Sequence, residues 1–514
     1  MKRPLAVVGF TLLGALVVLC AFNSIPFALI AAGVSYVLFI TTGILDKTRE
    51  RHTLPTVFFT VIIACILFYS VQSDYEKLSS LADTDTTVLC RVEEKPVFNK
   101  DYGRYYCKAK VLQVDGEKYK GNIRLSFNTT YDNIDPGCFE IGNKLYFKGH
   151  LYAVGGENKG IVDYFKSENI YIGVYGIKEL SVLRPERRPI VYYGDMLREF
   201  IAEGFRDNFS TETAGFLTAL LTGSKEYISD RVYDTFKRSG IAHIMAVSGM
   251  HLAVLAMFIG LFAKKLKDKH KVMYFIIMCL FVLIVMFTAA FSSSVVRAGI
   301  MLFMVLIGNI LGEHADSLNS LGFACICILL FNPFSAMNVG FLLSAVSTWA
   351  IIVFAVPFCN KHRYFVADRL GCGGAVSYPV AKAVMFSLAV SICVMVCTFP
   401  ITALNFGEVS LISPVTNLFF LPVTTLIICL SFVSAILCSL GIMPVWLVFI
   451  IEKISDYCIS IAELFGGDDS FMLKVDTTAK EIICCLVPLG WYLAIKMIKY
   501  LYRKIKKKRT KPLL

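Results

Sequence analysis

Apolar runs long enough to cross a bilayer, separated by short polar breaks, fill most of this chain. A hydrocarbon core of about 30 Å needs about 20 apolar residues per helix. Three such runs open the sequence: Leu5 to Phe22, Ile25 to Leu45 and Leu54 to Val71. The first follows Lys2-Arg3 in the manner of a signal peptide. No small-x-small cleavage site comes after it and a second run starts at once, so it reads as a retained helix. A later block predicts spans near 243–263, 272–291, 295–312, 320–332, 337–357, 380–404, 411–440, 442–462 and 480–501. The 320–332 run is short. The 411–440 run is long and contains Pro414 and Pro422, which reads as a broken or re-entrant helix. Such a break is tolerated only where protein or a water-filled cavity surrounds it.

Between the two blocks, residues 74 to about 189 change period. Short alternating runs appear at 87–92, 105–114, 121–127, 144–152 and 170–174, with turn signals at Asp115-Gly116, Asp135-Pro136-Gly137 and Gly155-Gly156. Short strands with such punctuation predict a small β-barrel of the OB type. From 190 to 240 the pattern turns helical and amphipathic. Leu197, Phe200, Ile201 and Phe205 share one face, and Ile228, Val232 and Phe236 share another. These helices lie at the membrane interface or on the bundle, or form a soluble connector.

The expected fold class is therefore mainly α: a polytopic helical membrane protein of about 12 transmembrane helices with an inserted extracytoplasmic OB-like β-barrel domain. The segments are 1–73 for three N-terminal helices, 74–189 for the β-domain, 190–240 for the amphipathic helices, 241–501 for the second membrane block and 502–514 for a basic tail.

Composition agrees. Hydrophobic residues make up 56% of the 514 and charged residues only 18%, below the roughly 25% of soluble domains. The net charge of +12 is mostly a matter of topology, because Lys and Arg gather at a few loops and at the C-terminus. Lys47, Arg49, Arg51 and His52 place the loop between the second and third spans, and the N-terminus, in the cytoplasm. Threading onward puts Lys264-Lys265-Leu266-Lys267, the loop with Lys361, Arg363 and Arg369, and the tail Arg503 to Lys511 on the same side. Asp468 and Asp469 then fall outside.

The candidate chemistry is sparse. His243, Ser248, Gly249 and His251 interrupt an apolar span, and ionisable groups there usually face a bundle interior or an aqueous path. On one continuous helix the two histidines stand about 12 Å apart. They share a metal only if the helix breaks at Ser248-Gly249, and no carboxylate or thiolate nearby completes a site, so none is assigned. Ser248 and His251, three residues apart, are within reach of each other. A serine hydrolase, a hydrophilic path and plain structural bonding are the open readings. Arg297 reads either as a bidentate phosphate contact or as a snorkelling arginine. Asp316 and Asn319 lie at a turn where Asp is also an ordinary cap. Asn405, Glu408 and Asn417 flank the proline-containing segment, to line a cavity or cap interrupted helices.

In the β-domain, Lys100, Tyr102, Arg104 and Tyr105 interleave bases with rings, as OB folds do when they stack single strands. Tyrosine also simply suits strands. Of the 17 cysteines most lie in apolar runs. Cys90, Cys107 and Cys138 would meet an oxidising exterior, where the three allow one disulfide. No cofactor is indicated, and the chain has no nucleotide-binding P-loop.

Several motifs carry a family resemblance. They are Ala219-Leu-Leu-Thr-Gly, Phe236-Lys-Arg-Ser-Gly-Ile-Ala-His-Ile-Met-Ala-Val-Ser-Gly-Met-His-Leu, Ser294-Val-Val-Arg-Ala-Gly-Ile-Met, Asp316-Ser-Leu-Asn, Asn332-Pro, Gly340-Phe-Leu-Leu-Ser and Phe406-Gly-Glu-Val-Ser-Leu-Ile-Ser-Pro-Val-Thr-Asn-Leu. In this order the chain resembles the ComEC-type competence proteins. Gly160-Ile-Val-Asp-Tyr-Phe is similar to the end of their OB-like region. The resemblance implies an inner-membrane channel that passes one DNA strand into the cytoplasm during natural transformation, not an enzyme; the alternatives are an intramembrane serine hydrolase using Ser248 and a histidine, or a structural or vestigial membrane protein. It implies membrane lipid, a cytoplasmic helicase-like ATPase, an extracytoplasmic DNA receptor and a separate nuclease as partners. It makes His243, Ser248, Gly249, His251, Arg297, Asp316, Asn319 and Asn417 candidate channel residues. Two departures stand out. Leu342 occupies a place where many members have glutamine, and no HxHxDH motif of the family's metallo-β-lactamase-like domain is found, so its nuclease chemistry is not expected here.

Overall fold

The computed structural model describes residues 3–45, 53–100, 102–129, 134–156, 158–361, 377–467 and 471–475. The chain begins with α1 (Pro4–Phe22), α2 (Ile25–Leu45) and α3 (Thr53–Ser79). The last leads straight into the strands β1 (Asp85–Val92), β2 (Val97–Asn99), β3 (Arg104–Val114), β4 (Asn122–Phe127), β5 (Lys144–Tyr152) and β6 (Ile170–Leu183). A helix, α4 (Lys159–Ser167), sits between β5 and β6.

The strands pair in the order β1-β5-β6-β4-β3, and β1 also pairs with β3, so five strands close into a barrel with β2 on its edge. The β4–β6 pair is parallel and the others are antiparallel. Alternation drives closure: Val88, Cys90 and Val92 of β1, Cys107, Ala109 and Val111 of β3, and Leu145 and Phe147 of β5 point inward and are buried. This is the OB-like barrel that the alternating runs predict. The last strand is longer than the run at 170–174 suggests. It bends at Gly176 and Glu179, both at positive φ, and keeps pairing with β5 as far as Leu183. Cys90, Cys107 and Cys138 are free, so the disulfide they allow is not formed. Cys90 and Cys107 are core residues, and the Cys107 thiol donates to the Glu94 carbonyl at 3.1 Å.

After the barrel come α5 (Ile190–Asn208), α6 (Thr211–Thr222) and α7 (Asp230–Arg238). They pack on the bundle: Phe205, Val232 and Phe236 share a core with Phe420 and Ile427, while Phe200 stays half-exposed. The remaining helices are α8 (Gly249–Phe262), α9 (Lys264–Lys269), α10 (Lys271–Thr288), α11 (Ser293–Leu311), α12 (Ser317–Phe331), α13 (Val339–Ala350), α14 (Val356–Lys361), α15 (Ser377–Phe406), α16 (Ser413–Ser439) and α17 (Val445–Gly466). A π-helical turn joins α13 to α14. A small ribbon, β7 (Glu408–Ser410) with β8 (Met472–Lys474), lies beyond α15.

Among the described residues, seven helices are long and apolar enough to cross a membrane, and the chain is a helical membrane protein. The expectation of about a dozen is not met there. Three apolar stretches are shorter, at Ile25–Ile40, Gly249–Phe262 and Ser317–Phe331. The first turn expected of the 243–263 span is a separate 3-10 turn, and α12 is bounded by its Asp316 cap and by Asn332-Pro333. α17 carries Glu452, Lys453, Asp456 and Glu463. The expected break at Pro422 is absent: α16 runs on through it, in the way membrane helices tolerate proline. The span at 480–501, the tail at 502–514, the loops with Lys47 and Arg49 and with Arg363 and Arg369, and Asp468 and Asp469 lie outside the described residues.

Two helices fix the frame. α1 and α12 touch backbone to backbone, because a Cβ on Gly9 would stand 2.2 Å from the Gly322 carbonyl oxygen. Their first turns meet where Arg3 pairs with Asp316 at 2.9 Å. At the far ends, Lys159 and Lys166 of α4 bond to the Ala21 carbonyl and the Asn23 side chain, and Asn332 donates to the Ser167 carbonyl at 2.8 Å. α1 and α12 therefore run parallel, with the barrel at their C-terminal ends.

Candidate functional site

The helix break on which the two histidines depend is real. Residues Ala242–Met245 form a 3-10 turn, the chain then extends, and α8 starts at Gly249 with Ser248 as its N-cap. Ser248 Oγ accepts from the Met250 amide at 3.2 Å, and His251 Nδ1 accepts from the Ser248 amide at 3.2 Å. These bonds satisfy amides that a helix start leaves orphaned. With Nδ1 the acceptor, the imidazole proton is assigned to Nε2. Nε2 is buried and lies toward the Ile244 carbonyl. Ser248 Oγ also lies 2.9 Å from His251 Nδ1. A nucleophilic serine needs a base that is itself oriented by a third group. Here the histidine is spent on the cap, and no described carboxylate reaches its other nitrogen. His243 is exposed on the 3-10 turn.

Arg297 comes to this helix start from α11. It is only 5% exposed, so it does not snorkel. Its Nε donates to Ser344 Oγ at 3.1 Å, and its Nη1 bonds to the Thr348 hydroxyl and, at 3.6 Å, to the Met301 sulfur. Ser344 Oγ is in turn 2.7 Å from Ser294 Oγ. Among the described residues no carboxylate pairs with Arg297. The absence of a side chain at Gly249 is what lets the guanidinium approach: a Cβ there would stand 3.0 Å from Arg297 Nη2 and 3.1 Å from Ala298 Cβ.

Three helices thus bring together Ser248, Gly249 and His251 of α8, Ser294 and Arg297 of α11, and Ser344 and Thr348 of α13. Sequence reasoning missed Thr348 and the part played by Ser344. Their signal was a pair of hydroxyls four residues apart on an otherwise apolar helix.

The other expected channel residues lie elsewhere. Asp316 caps α12 through the Asn319 amide at 2.9 Å and pairs with Arg3, and Asn319 Oδ1 accepts from the Ala6 amide at 3.2 Å. Both tie α12 to α1. Asn417 sits at the corner where Ser413 bonds to the Gly240 carbonyl. It reaches Ser413 Oγ at 3.4 Å, and its buried Oδ1 is unpaired among the described residues.

On the barrel, the β2–β3 hairpin holds Lys100, Tyr102, Arg104 and Tyr105. Tyr102 is 72% exposed, Arg104 is exposed, and Lys100 lies 3.5 Å from Asp230 of α7. Tyr105 is turned into packing, stacked on Phe127 and beside Phe98. Nearby, Lys95 bonds to Asp195 at 2.7 Å and Glu199 at 2.9 Å on α5. Burial alone would lower the Lys95 pKa, but these bonds outweigh it and hold the pKa above the ordinary lysine value. The Lys95 bond in turn holds Glu199 below the usual carboxylate range. Among the described residues no three His, Cys, Asp or Glu side chains converge as metal ligands.

Residues 220–500 match the model of a protein family described as "Competence protein". Over 413 residues the chain is 24% identical to the ComE operon protein 3 of Bacillus subtilis (strain 168). The match covers 78% of this chain and 48% of that protein, so the chain spans about half the length of the curated relative it matches. No solved structure matches it.

Proposed function

Because this chain belongs to the competence protein family, we propose that it passes single-stranded DNA inward across the bacterial cytoplasmic membrane during natural transformation. It does so as a multi-pass protein with both termini in the cytoplasm. The carrying observation is the cluster of Arg297, Ser294, Ser344, Thr348, Ser248 and His251 where α8, α11 and α13 meet. Buried polar groups of this kind mark a path for a polar cargo. The cluster holds one cation and several neutral hydroxyls rather than a dense basic tunnel, so binding is weak enough for a strand to leave.

The arrangement of α1 supports the orientation. Arg3 lies at one end and the barrel at the other, so a cytoplasmic N-terminus puts the barrel outside, with Lys100, Tyr102 and Arg104 facing arriving DNA. No P-loop is present in the sequence, so the driving force comes from a partner, which the family resemblance makes a helicase-like ATPase. An outer DNA receptor and a nuclease that removes the second strand complete the pathway. Catalysis by Ser248 is the weaker reading, since its histidine is engaged in the helix cap.

Labelled duplex DNA, followed in competent host cells with and without the gene, tests this reading. The deletion should keep label at the surface and lose internal single strand. Undiminished internal label would overturn it.

A further inference from the structure

We propose that Arg297 and the N-terminus of α8 form a station for one backbone phosphodiester of the passing strand, with Gly249 providing the space. This rests on the reading of the chain as a DNA passage.

A guanidinium stays charged at any physiological pH, and burying a charge without a counter-charge is strongly unfavourable. The acceptors that Arg297 has are two hydroxyls and a thioether, all neutral. They hold the Nε and Nη1 edge of the fork. No partner for Nη2 is found among the described residues, and it lies against Gly249, the first residue of α8. A helix N-terminus carries about half a positive charge. Two positive groups therefore converge inside the bundle, and an acid would be the ordinary way to stabilise them. The surrounding side chains are instead Ser248, Ser294, Ser344, Thr348, the buried thiol of Cys325 and a histidine committed as an acceptor, with no carboxylate among them. One anion between Nη2 and the first turn of α8 would satisfy both positive groups. A phosphate oxygen suits the free arm of the fork and the helix start alike.

The same chemistry would accept a lipid phosphate, so the test must vary the DNA. Uptake into cells is measured for wild type, Arg297→Lys and Arg297→Gln, with the gene deletion as the floor and membrane levels of each protein matched. Each strain receives ordinary DNA and DNA carrying a run of uncharged methylphosphonate linkages. Arg297→Gln should lower uptake of ordinary DNA at least about tenfold, the loss of one charge-assisted bond, with Arg297→Lys in between. The neutral run should slow wild type and add nothing to Arg297→Gln, because both remove the same contact.

Uptake by Arg297→Gln at the wild-type rate would overturn the proposal. So would a neutral run that slows both strains by one factor, as a lipid phosphate or a purely structural arginine predicts. If Arg297→Gln fails to accumulate, Arg297→Lys and the wild-type response to the neutral run decide. Uptake that persists in the deletion strain refutes the passage reading itself, which is a different result from either.

Discussion

Ser248 stands where two chemistries part. Its hydroxyl caps α8 through the Met250 amide and touches His251. Replacing Ser248 by Ala should remove the cap at a cost of about 1 kcal/mol, lower the melting temperature of the purified protein slightly and leave most DNA uptake in place. Complete loss of function in a folded Ser248→Ala protein would contradict the capping role and favour hydrolysis. At this scale the sequence was half legible. Polar interruptions in apolar runs exposed Ser248, His251 and Arg297 as unusual. It could not say that Arg297 would be buried, or that Ser344 and Thr348 would hold it, because that meeting is made by two helices packing together. Asp316 and Asn319 show the converse. They look like path residues in a list of polar positions, yet their bonds to Arg3 and the Ala6 amide make them fasteners between helices.

Among the elements, the α1–α12 crossing is a backbone-to-backbone contact with no room for a side chain. A Cβ on Gly322 would stand 2.3 Å from the Leu5 carbonyl oxygen and 2.5 Å from the Ala6 Cα, so backbone would have to move. Gly322→Ala should therefore destabilise the protein by about 1–3 kcal/mol, the usual cost of overpacking, read as a drop in melting temperature in detergent. Gly14, also on α1, meets nothing within 4 Å, and Gly14→Ala should leave melting unchanged or raise it. Equal effects at the two sites would contradict the packing described. Strands were legible to within a few residues because alternation and turn residues are local signals, as β3 and β5 show. The continuation of β6 was not, since a strand that bends at Gly176 and Glu179 loses its simple alternation. The proline rule misled at Pro422, because α16 continues through it, as membrane helices can.

For the whole molecule, the question is how the barrel is held over the bundle. One seam is buried: Lys166 is 2% exposed, bonds to Asn23 and lies 3.7 Å from the centre of the Tyr75 ring, and Asn338 reaches Glu168 at 3.1 Å. The other is open and ionic, with Lys95 on Asp195 and Glu199 and Arg188 on Glu140 and Asn143. The lowered pKa of Glu199 sets the sign of a pH effect. Its contribution is complete above the ordinary glutamate range and is lost as pH falls through the lowered value. Acidification should therefore loosen the ionic seam, seen as faster protease cleavage near residues 184–189, and Lys95→Met should abolish that pH step. A step unchanged in Lys95→Met would assign it to other groups. The barrel and the membrane block were each legible in the sequence, but neither seam was, because each joins residues far apart in the chain. The central claim, that a DNA strand passes the Arg297 cluster, is tested most directly by placing a photoreactive side chain at Ser344 and at the control position Ser320, buried on α12 and bonded to its own helix, in cells caught during uptake. Covalent adducts with the incoming strand at 344 and none at 320 are the predicted result. Adducts absent from 344 while uptake continues would contradict it.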